Sequence, residues 1–173
     1  GDLAGRAWGN TSPDRSAAFF NFENDLYYAR FDGGGACRLT STPEPEELVS
    51  FSPDGAFVAF VRRNNLYVVD VATQTERALT TDGAANVLNA KADWVYYEEL
   101  FNRNWRVYWW SPDSKRLAFY RTDNSMVPKF TIVDELGAPQ GVEGTLYPRP
   151  GEPNPRVKLG IVLANLVSNA VRH

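Results

Sequence analysis

The triplet Ser-Pro-Asp occurs three times in this sequence, at Ser12-Pro13-Asp14, Ser52-Pro53-Asp54 and Ser111-Pro112-Asp113, and the first two copies stand 40 residues apart. The residues after each triplet recur as well. Ala18-Phe19-Phe20, Val58-Ala59-Phe60 and Leu117-Ala118-Phe119 come six to eight residues after the serine. Asn24-Asp25-Leu26-Tyr27 and Asn64-Asn65-Leu66-Tyr67 begin twelve residues after the first two serines, and Leu39-Thr40 and Leu79-Thr80 hold equal offsets again. A period near 40 residues belongs to repeat architectures whose units stack on one another.

Each unit has a physical logic. In Ser-Pro-Asp-Gly the proline presets φ, the aspartate bonds its own backbone and Gly55 tolerates φ > 0, so the triplet predicts a tight turn. The short apolar run after it predicts a buried strand. Asn24-Asp25 and Asn64-Asn65 predict hairpins, leading into strands such as Leu66-Tyr67-Val68-Val69-Asp70-Val71 and, outermost, Glu76-Ala78-type segments ending in Leu79-Thr80. With a strand before each triplet, the unit is a four-stranded propeller blade. A β-sandwich with chance similarity between hairpins is the alternative, and no long segment has helical periodicity. Aromatics make up 13% of the chain, which suits pleated surfaces. The expected fold is therefore all-β: an incomplete β-propeller with blades near 1–42, 43–82 and 83–146, and a trailing strand region, 147–173, with its strand near 156–167.

The second and third triplets are 59 residues apart, so about 19 extra residues lie between them. Insertions between blades are places where function is grafted onto a scaffold. This one contains Asp93-Trp94-Val95-Tyr96-Tyr97-Glu98-Glu99-Leu100-Phe101, and Asp93 suits the N-cap of a short helix through the two glutamates. A second pair, Glu46-Glu47 in a proline-flanked loop, reads as solvated. The aromatics Trp94, Tyr96, Tyr97, Phe101, Trp105, Tyr108, Trp109 and Trp110 crowd the same region and read mostly as packing.

The segment 93–101, with Trp109-Trp110-Ser111-Pro112, Val127-Pro128 and Tyr147-Pro148-Arg149-Pro150-Gly151-Glu152-Pro153 beyond it, resembles the double-glutamate region of the dipeptidyl peptidase IV family of serine exopeptidases. The resemblance spans about residues 46 to 162. It implies that Glu98 and Glu99 project into a cavity facing an α/β-hydrolase domain and hold the free amino terminus of a peptide. Tyr96 and Tyr97 are then candidates for lining that cavity. Two carboxylates can take two of an α-ammonium's three N–H donors in charge-assisted hydrogen bonds. The family also uses an arginine from an earlier blade; Arg15 is near that place, but the role is not carried over to it.

A serine peptidase needs a nucleophile, a base and an orienting acid. The single histidine is His173, and no Gly-x-Ser-x-Gly nucleophile elbow occurs. The expectation is a chain with no catalytic residues of its own, inactive alone, whose partners are a peptide N-terminus and a catalytic domain that the sequence does not hold. The alternatives are a non-catalytic binding or scaffold propeller, and a propeller glycosidase, which adjacent glutamates suit poorly. No metal-spaced His or Cys groups occur, no cofactor is expected, and Gly33-Gly34-Gly35 reads as a hairpin turn. A net charge of -3 gives no basic footprint for nucleic acid. No apolar run approaches the ~20 residues of a membrane span. The start, Gly1-Asp2-Leu3, has no signal-peptide character; the resemblance implies a periplasmic, secreted or cell-surface location. Three blades do not close a ring, and open blade edges invite pairing, so a homo-oligomer that completes the propeller is expected.

Overall fold

The computed structural model describes residues 10–134 and 141–164. Sheet one consists of β1 (Ala17–Phe22), β2 (Asp25–Arg30) and β3 (Ala36–Arg38), in that order. Sheet two is a four-stranded antiparallel meander of β4 (Glu47–Phe51), β5 (Phe57–Arg62), β6 (Asn65–Asp70) and β7 (Glu76–Ala78). Sheet three is centred on β10 (Arg116–Asp123), which carries β8 (Val87–Asn89) and β9 (Tyr108–Trp110) along one edge and β13 (Arg156–Leu163) along the other. A separate hairpin, β11 (Lys129–Asp134) with β12 (Gly141–Leu146), lies in the connection from β10 to β13. The described residues form an all-β, incomplete β-propeller with one short helical turn among them.

The three triplets build the same turn. In each, the serine hydroxyl donates to the aspartate carboxylate, at 2.6, 2.6 and 2.5 Å for Ser12–Asp14, Ser52–Asp54 and Ser111–Asp113. The same hydroxyl accepts the backbone N–H five residues on, from Ala17, Phe57 and Arg116 at 3.0, 3.0 and 2.9 Å. The aspartate accepts the N–H two residues on, from Ser16, Ala56 and Lys115. The fourth position is left-handed in all three, with Arg15, Gly55 and Ser114 at φ 59, 73 and 59°. Arg15 thus occupies a place that the turn dictates. These bonds span no more than five residues, so the turn is a local device that starts a strand at the same offset every time.

The hairpins beyond these turns reverse one residue earlier than the Asn-Asp and Asn-Asn pairs suggest. Glu23 and Asn24, and Arg63 and Asn64, hold the positive φ values of a two-residue loop, while Asp25 and Asn65 already pair with Phe22 and Arg62. Asp25 and Asn65 then serve another purpose: their side chains accept the N–H of Thr42 and Gly83 and hold the descending chain. The Leu-Thr repeats are part of the same fastening, since Thr40 and Thr80 accept the N–H of Leu26 and Leu66 at 2.8 and 2.9 Å.

Two apolar layers join the sheets. Phe19, Leu26 and Leu39 of the first unit pack against Val58, Phe60 and Val69 of sheet two. Ala59, Val61 and Leu66, on the other face of sheet two, pack against Tyr108, Leu117, Phe119 and Ala164. Cys37 is half-buried in β3, partly packed on the first layer.

Two features depart from the sequence reading. The strands at 129–146, expected inside the third blade, form the separate β11–β12 hairpin. The place beside β10 is taken by β13, whose pairing runs from Arg116–Leu163 to Asp123–Arg156. Gly160 makes this fit possible, because Phe119 opposite it fills the space where a Cβ would stand. The second departure is Glu46-Glu47, expected in solvent. The Glu46 side chain is buried beside the guanidinium of Arg62 at 3.3 Å, and Arg62 also pairs with Glu76 and lies over the Tyr67 ring at 4.3 Å. Burial pushes the Glu46 carboxyl upward, and its Oε2 has no hydrogen-bond partner among the described residues. Glu47 pairs with Lys91. The reason is non-local: Arg62 sits where β5 ends, and the closing of sheet two brings it onto the chain entering β4.

Candidate functional site

β8 and β9 are two pieces of one edge, interrupted by a loop. On β10, residues 121–123 pair with β8 and residues 117–119 with β9. Tyr120, between them, clamps both arms: its carbonyl accepts the Ala90 N–H and its N–H donates to the Val107 carbonyl, each at 2.9 Å. A further rung joins Val107 N–H to the Ala90 carbonyl at 3.1 Å, and Ala92 N–H donates to the Trp105 carbonyl at 2.8 Å. Residues 90–107 therefore leave and re-enter the sheet at the same point, and the extra residues inferred from the broken repeat are this excursion. Its feet are fully buried at Ala90 and nearly so at Ala92 and Val107.

At the end of the excursion stands the helical turn Tyr96–Leu100. Asp93 starts it, accepting the Tyr96 N–H at its Oδ1 (3.1 Å) and the Tyr97 N–H at its carbonyl (2.9 Å). This is the capping role that the sequence suggests. Asp93 is itself buried, and burial holds its carboxyl above the ordinary range against the bonds it accepts. The turn then widens, because the Phe101 N–H reaches back five residues to the Tyr96 carbonyl rather than four. Asn102 and Arg103 come next with φ of 47 and 61°, which ends the helix sharply. Single widened turns of this kind are rare and recur at functional sites. More residues per turn also mean a smaller angle between successive side chains than the ~100° of an ordinary α-helix, so Glu98 and Glu99 diverge less.

The glutamates differ in surroundings. The Glu98 side chain is 27% exposed and accepts the Arg103 Nε at 3.1 Å. Glu99 is exposed and has no hydrogen-bond or ion-pair partner among the described residues. Tyr97 stacks on Trp105 with ring centroids 3.9 Å apart, which braces the descending and returning arms of the excursion. Tyr96 is half-buried beside Phe101, and burial raises its hydroxyl pKa. Phe101 in turn leans on Tyr120 at 6.0 Å, so the aromatic residues connect the helical turn to its own clamp. The structure brings Tyr96, Tyr97, Glu98 and Glu99 together on one element. Arg103 is the residue that sequence reasoning missed; its only signal is a cation five residues after Glu98.

Trp94, Phe130, Ile132, Glu143, Thr145 and Tyr147 line a cavity of about 340 Å³ between this excursion and the β11–β12 hairpin. Among the described residues there is no group of three or more metal-ligating side chains, and no helix long and apolar enough to cross a membrane.

Residues 42–171 match the family model for the dipeptidyl peptidase IV (DPP IV) N-terminal region. The chain is 38% identical over 125 residues to a probable dipeptidyl-aminopeptidase B of Arthroderma benhamiae, a match covering 65% of this chain and 14% of that protein. A probable dipeptidyl-aminopeptidase B of Talaromyces marneffei is 40% identical over the same length and with the same coverage. The chain thus matches about 14% of the length of these curated relatives. Among solved structures, the crystal structure of Porphyromonas gingivalis dipeptidyl peptidase 4 superposes with a TM-score of 0.73 at 31% identity, covering 88% of this chain and 23% of that one. By the span of the match and by the fold that carries it, this chain belongs to the dipeptidyl peptidase IV N-terminal region family.

Proposed function

We propose that this chain is the propeller portion of a dipeptidyl peptidase IV-like serine exopeptidase, which gates the active site and anchors the free N-terminus of a peptide through Glu98 and Glu99. The observation that carries the reading is the presentation of the pair. Both glutamates stand on a capped, aromatic-braced turn at the end of an excursion whose feet are fastened at Tyr120. A site held this way keeps its carboxylates in one geometry, which an amine anchor needs if it is also to set the distance to a nucleophile. Glu99 brings a carboxylate with no partner among the described residues, and Glu98 one that is already oriented by Arg103. An α-ammonium bonded to both gains about 1.5–3 kcal/mol per charge-assisted bond, and an N-acylated peptide gains neither. On this reading Tyr96 and Tyr97, on the same turn, line the substrate cavity of the whole protein, which is distinct from the cavity beside the β11–β12 hairpin. The chain supplies no triad and does not cleave peptides by itself.

The test uses residues 93–101 of this chain transplanted into the equivalent insertion of a full-length relative. Glu98→Ala and Glu99→Ala are each expected to raise KM for dipeptide release at least about tenfold, as the loss of one such bond implies, with kcat less affected. Unchanged kinetics in both variants overturns the anchor. The 173-residue chain alone is expected to release no dipeptide from a chromogenic substrate, and release would refute the absence of a triad.

A further inference from the structure

Among the charged residues of the excursion, three stand together at its tip. Lys91, at the foot, pairs with Glu47. Asp93 is buried as the cap of the turn, and the Arg106 guanidinium lies over the Tyr108 ring at 5.6 Å. That leaves Glu98, Glu99 and Arg103, two negative charges and one positive.

Arg103 reaches Glu98 because of the way the turn ends. Its N–H donates to the Tyr97 carbonyl, six residues back, at 2.9 Å, and the Asn104 N–H donates to the Phe101 carbonyl at 3.0 Å. With Asn102 and Arg103 both left-handed, the chain doubles back on the last turn instead of running on. The Asn104 side chain accepts the Arg106 N–H at 3.0 Å as the chain returns toward β9. Backbone bonds thus hold residue 103 against the turn, and its Nε meets Glu98 Oε2 at 3.1 Å. The contact takes one oxygen of one glutamate, and Glu98 Oε1 and both oxygens of Glu99 have no other partner among the described residues.

A peptide ammonium bonded to Glu98 shares that carboxylate with Arg103. Two hydrogen bonds of ~3 Å with a carboxyl group between them put the two cations within about 8 Å of each other. That is about one Debye length at physiological salt, so the charges still act on one another. Without Arg103, the glutamates carry one negative charge more than a single α-ammonium neutralises. With it, the bound α-ammonium brings the group to neutrality. Nothing is then left over to attract a second positive charge on the substrate's first side chain.

We propose that Arg103 is a specificity-determining residue. By cancelling one of the two glutamate charges, it fits the anchor to an N-terminal residue with an uncharged side chain. It removes the advantage that an N-terminal lysine or arginine would otherwise have. The proposal rests on the amine anchor and adds to it the class of first residue that the anchor takes. Its effect belongs to a comparison between substrates with the same α-ammonium, where any change in the orientation of Glu98 cancels.

The experiment uses a full-length relative carrying residues 90–107 of this chain in place of its own insertion, at pH 7, where a lysine side chain is charged. Two peptides are compared, alike except that the first residue is lysine in one and norleucine, an uncharged near-isostere, in the other. The readout is the ratio of kcat/KM for dipeptide release, lysine over norleucine. Arg103→Met is expected to raise that ratio about two- to fivefold at about 20 mM salt, the size of an interaction between exposed charges. The rise is expected to fade at about 1 M salt, where the Debye length is about 3 Å. Arg103→Lys, which preserves the charge, is expected to keep the parent's ratio, and Arg103→Gln repeats the methionine result if methionine disturbs folding. A ratio unmoved in both Arg103→Met and Arg103→Gln, or one that moves equally at both salt concentrations, overturns the proposal. Glu98→Ala and Glu99→Ala in the same protein separate that failure from a failure of the anchor. A raised KM in those two with an unmoved ratio removes only the part given to Arg103, whereas an unchanged KM in both removes the anchor and this proposal with it.

Discussion

The hydroxyl of Tyr108, on the strand that returns from the insertion, hydrogen-bonds the backbone carbonyl of Leu48, the left-handed residue in the bulge of β4. The same hydroxyl lies 3.1 Å from the Ala59 carbonyl and 3.0 Å from the Ser50 hydroxyl, which also accepts the Trp110 indole N–H. One buried phenol thus ties the foot of the excursion to sheet two. Tyr108→Phe leaves these partners unsatisfied and is expected to cost about 1–3 kcal/mol, read from the urea midpoint. Burial pushes the Tyr108 pKa up to about 12, while an unfolded tyrosine ionises near ~10. The folded state therefore keeps a proton that the unfolded state loses, and stability falls as pH rises from about 10 to about 12. Tyr108→Phe is expected to lack that part of the alkaline decline.

The triplet turns make the opposite prediction at low pH. The Ser12 hydroxyl and the Ser16 N–H hold the Asp14 carboxyl down at about 2. Asp113 is lowered by Ser111 and the Lys115 N–H. At Asp54 burial pushes the carboxyl upward, but Ser52 and the Ala56 N–H outweigh it and the net shift is down. Folded carboxyls with depressed pKa contribute stability that is complete above the unfolded value, near ~3.9, and is lost as pH falls through the folded one. The urea midpoint is expected to drop over that window. Replacing Asp14, Asp54 and Asp113 together by Asn should lower stability at pH 7 and flatten the acid limb.

Arg62 is expected to matter through the charge it covers. Its removal in Arg62→Met leaves the buried Glu46 carboxylate without a counter-ion, a situation that costs about 3–5 kcal/mol. Glu46→Gln removes the charge itself, so the double variant should recover much of the loss. Because burial already raises the Glu46 pKa, the deficit of Arg62→Met should narrow as pH falls and the carboxyl takes up a proton. A loss that is equal at pH 7 and pH 4 would show that Arg62 acts by packing on Tyr67 instead.

Gly160 provides a packing test. A Cβ there would stand 2.5 Å from ring atoms of Phe119, so Gly160→Val is expected to destabilise by about 1–3 kcal/mol through overpacking. A partial rescue by Phe119→Leu, seen in the thermal midpoint, would identify the ring as the obstacle.

The repeat, and nearly everything local to it, is legible in the chain before any fold is known. The Ser-Pro-Asp turns, the hairpins after them and the Leu-Thr fastenings close over five to about fifteen residues, so their chemistry is complete within a short stretch of chain. The alternation of residues between the two faces of a sheet, such as Val58 and Phe60 on one face and Ala59 and Val61 on the other, is built in the same way, because it comes from the twofold period of a strand counted from each triplet. The residues of the candidate site are legible too, in the flanks of Glu98 and Glu99, along with the Asp93 cap.

The remainder depends on partners far apart in the chain, and only folding brings them together. Tyr120 clamps Ala90 and Val107 from 30 and 13 residues away, and nothing in the excursion's own sequence specifies that closure. β13 takes the place beside β10 that 129–146 was expected to fill, because Gly160 meets Phe119 across a 32-residue connection. Glu46 is buried rather than solvated because sheet closure delivers Arg62 to it. Even the contrast between the two glutamate pairs is tertiary: a side chain's charge is written in the sequence, but its solvation is set by what the fold places beside it.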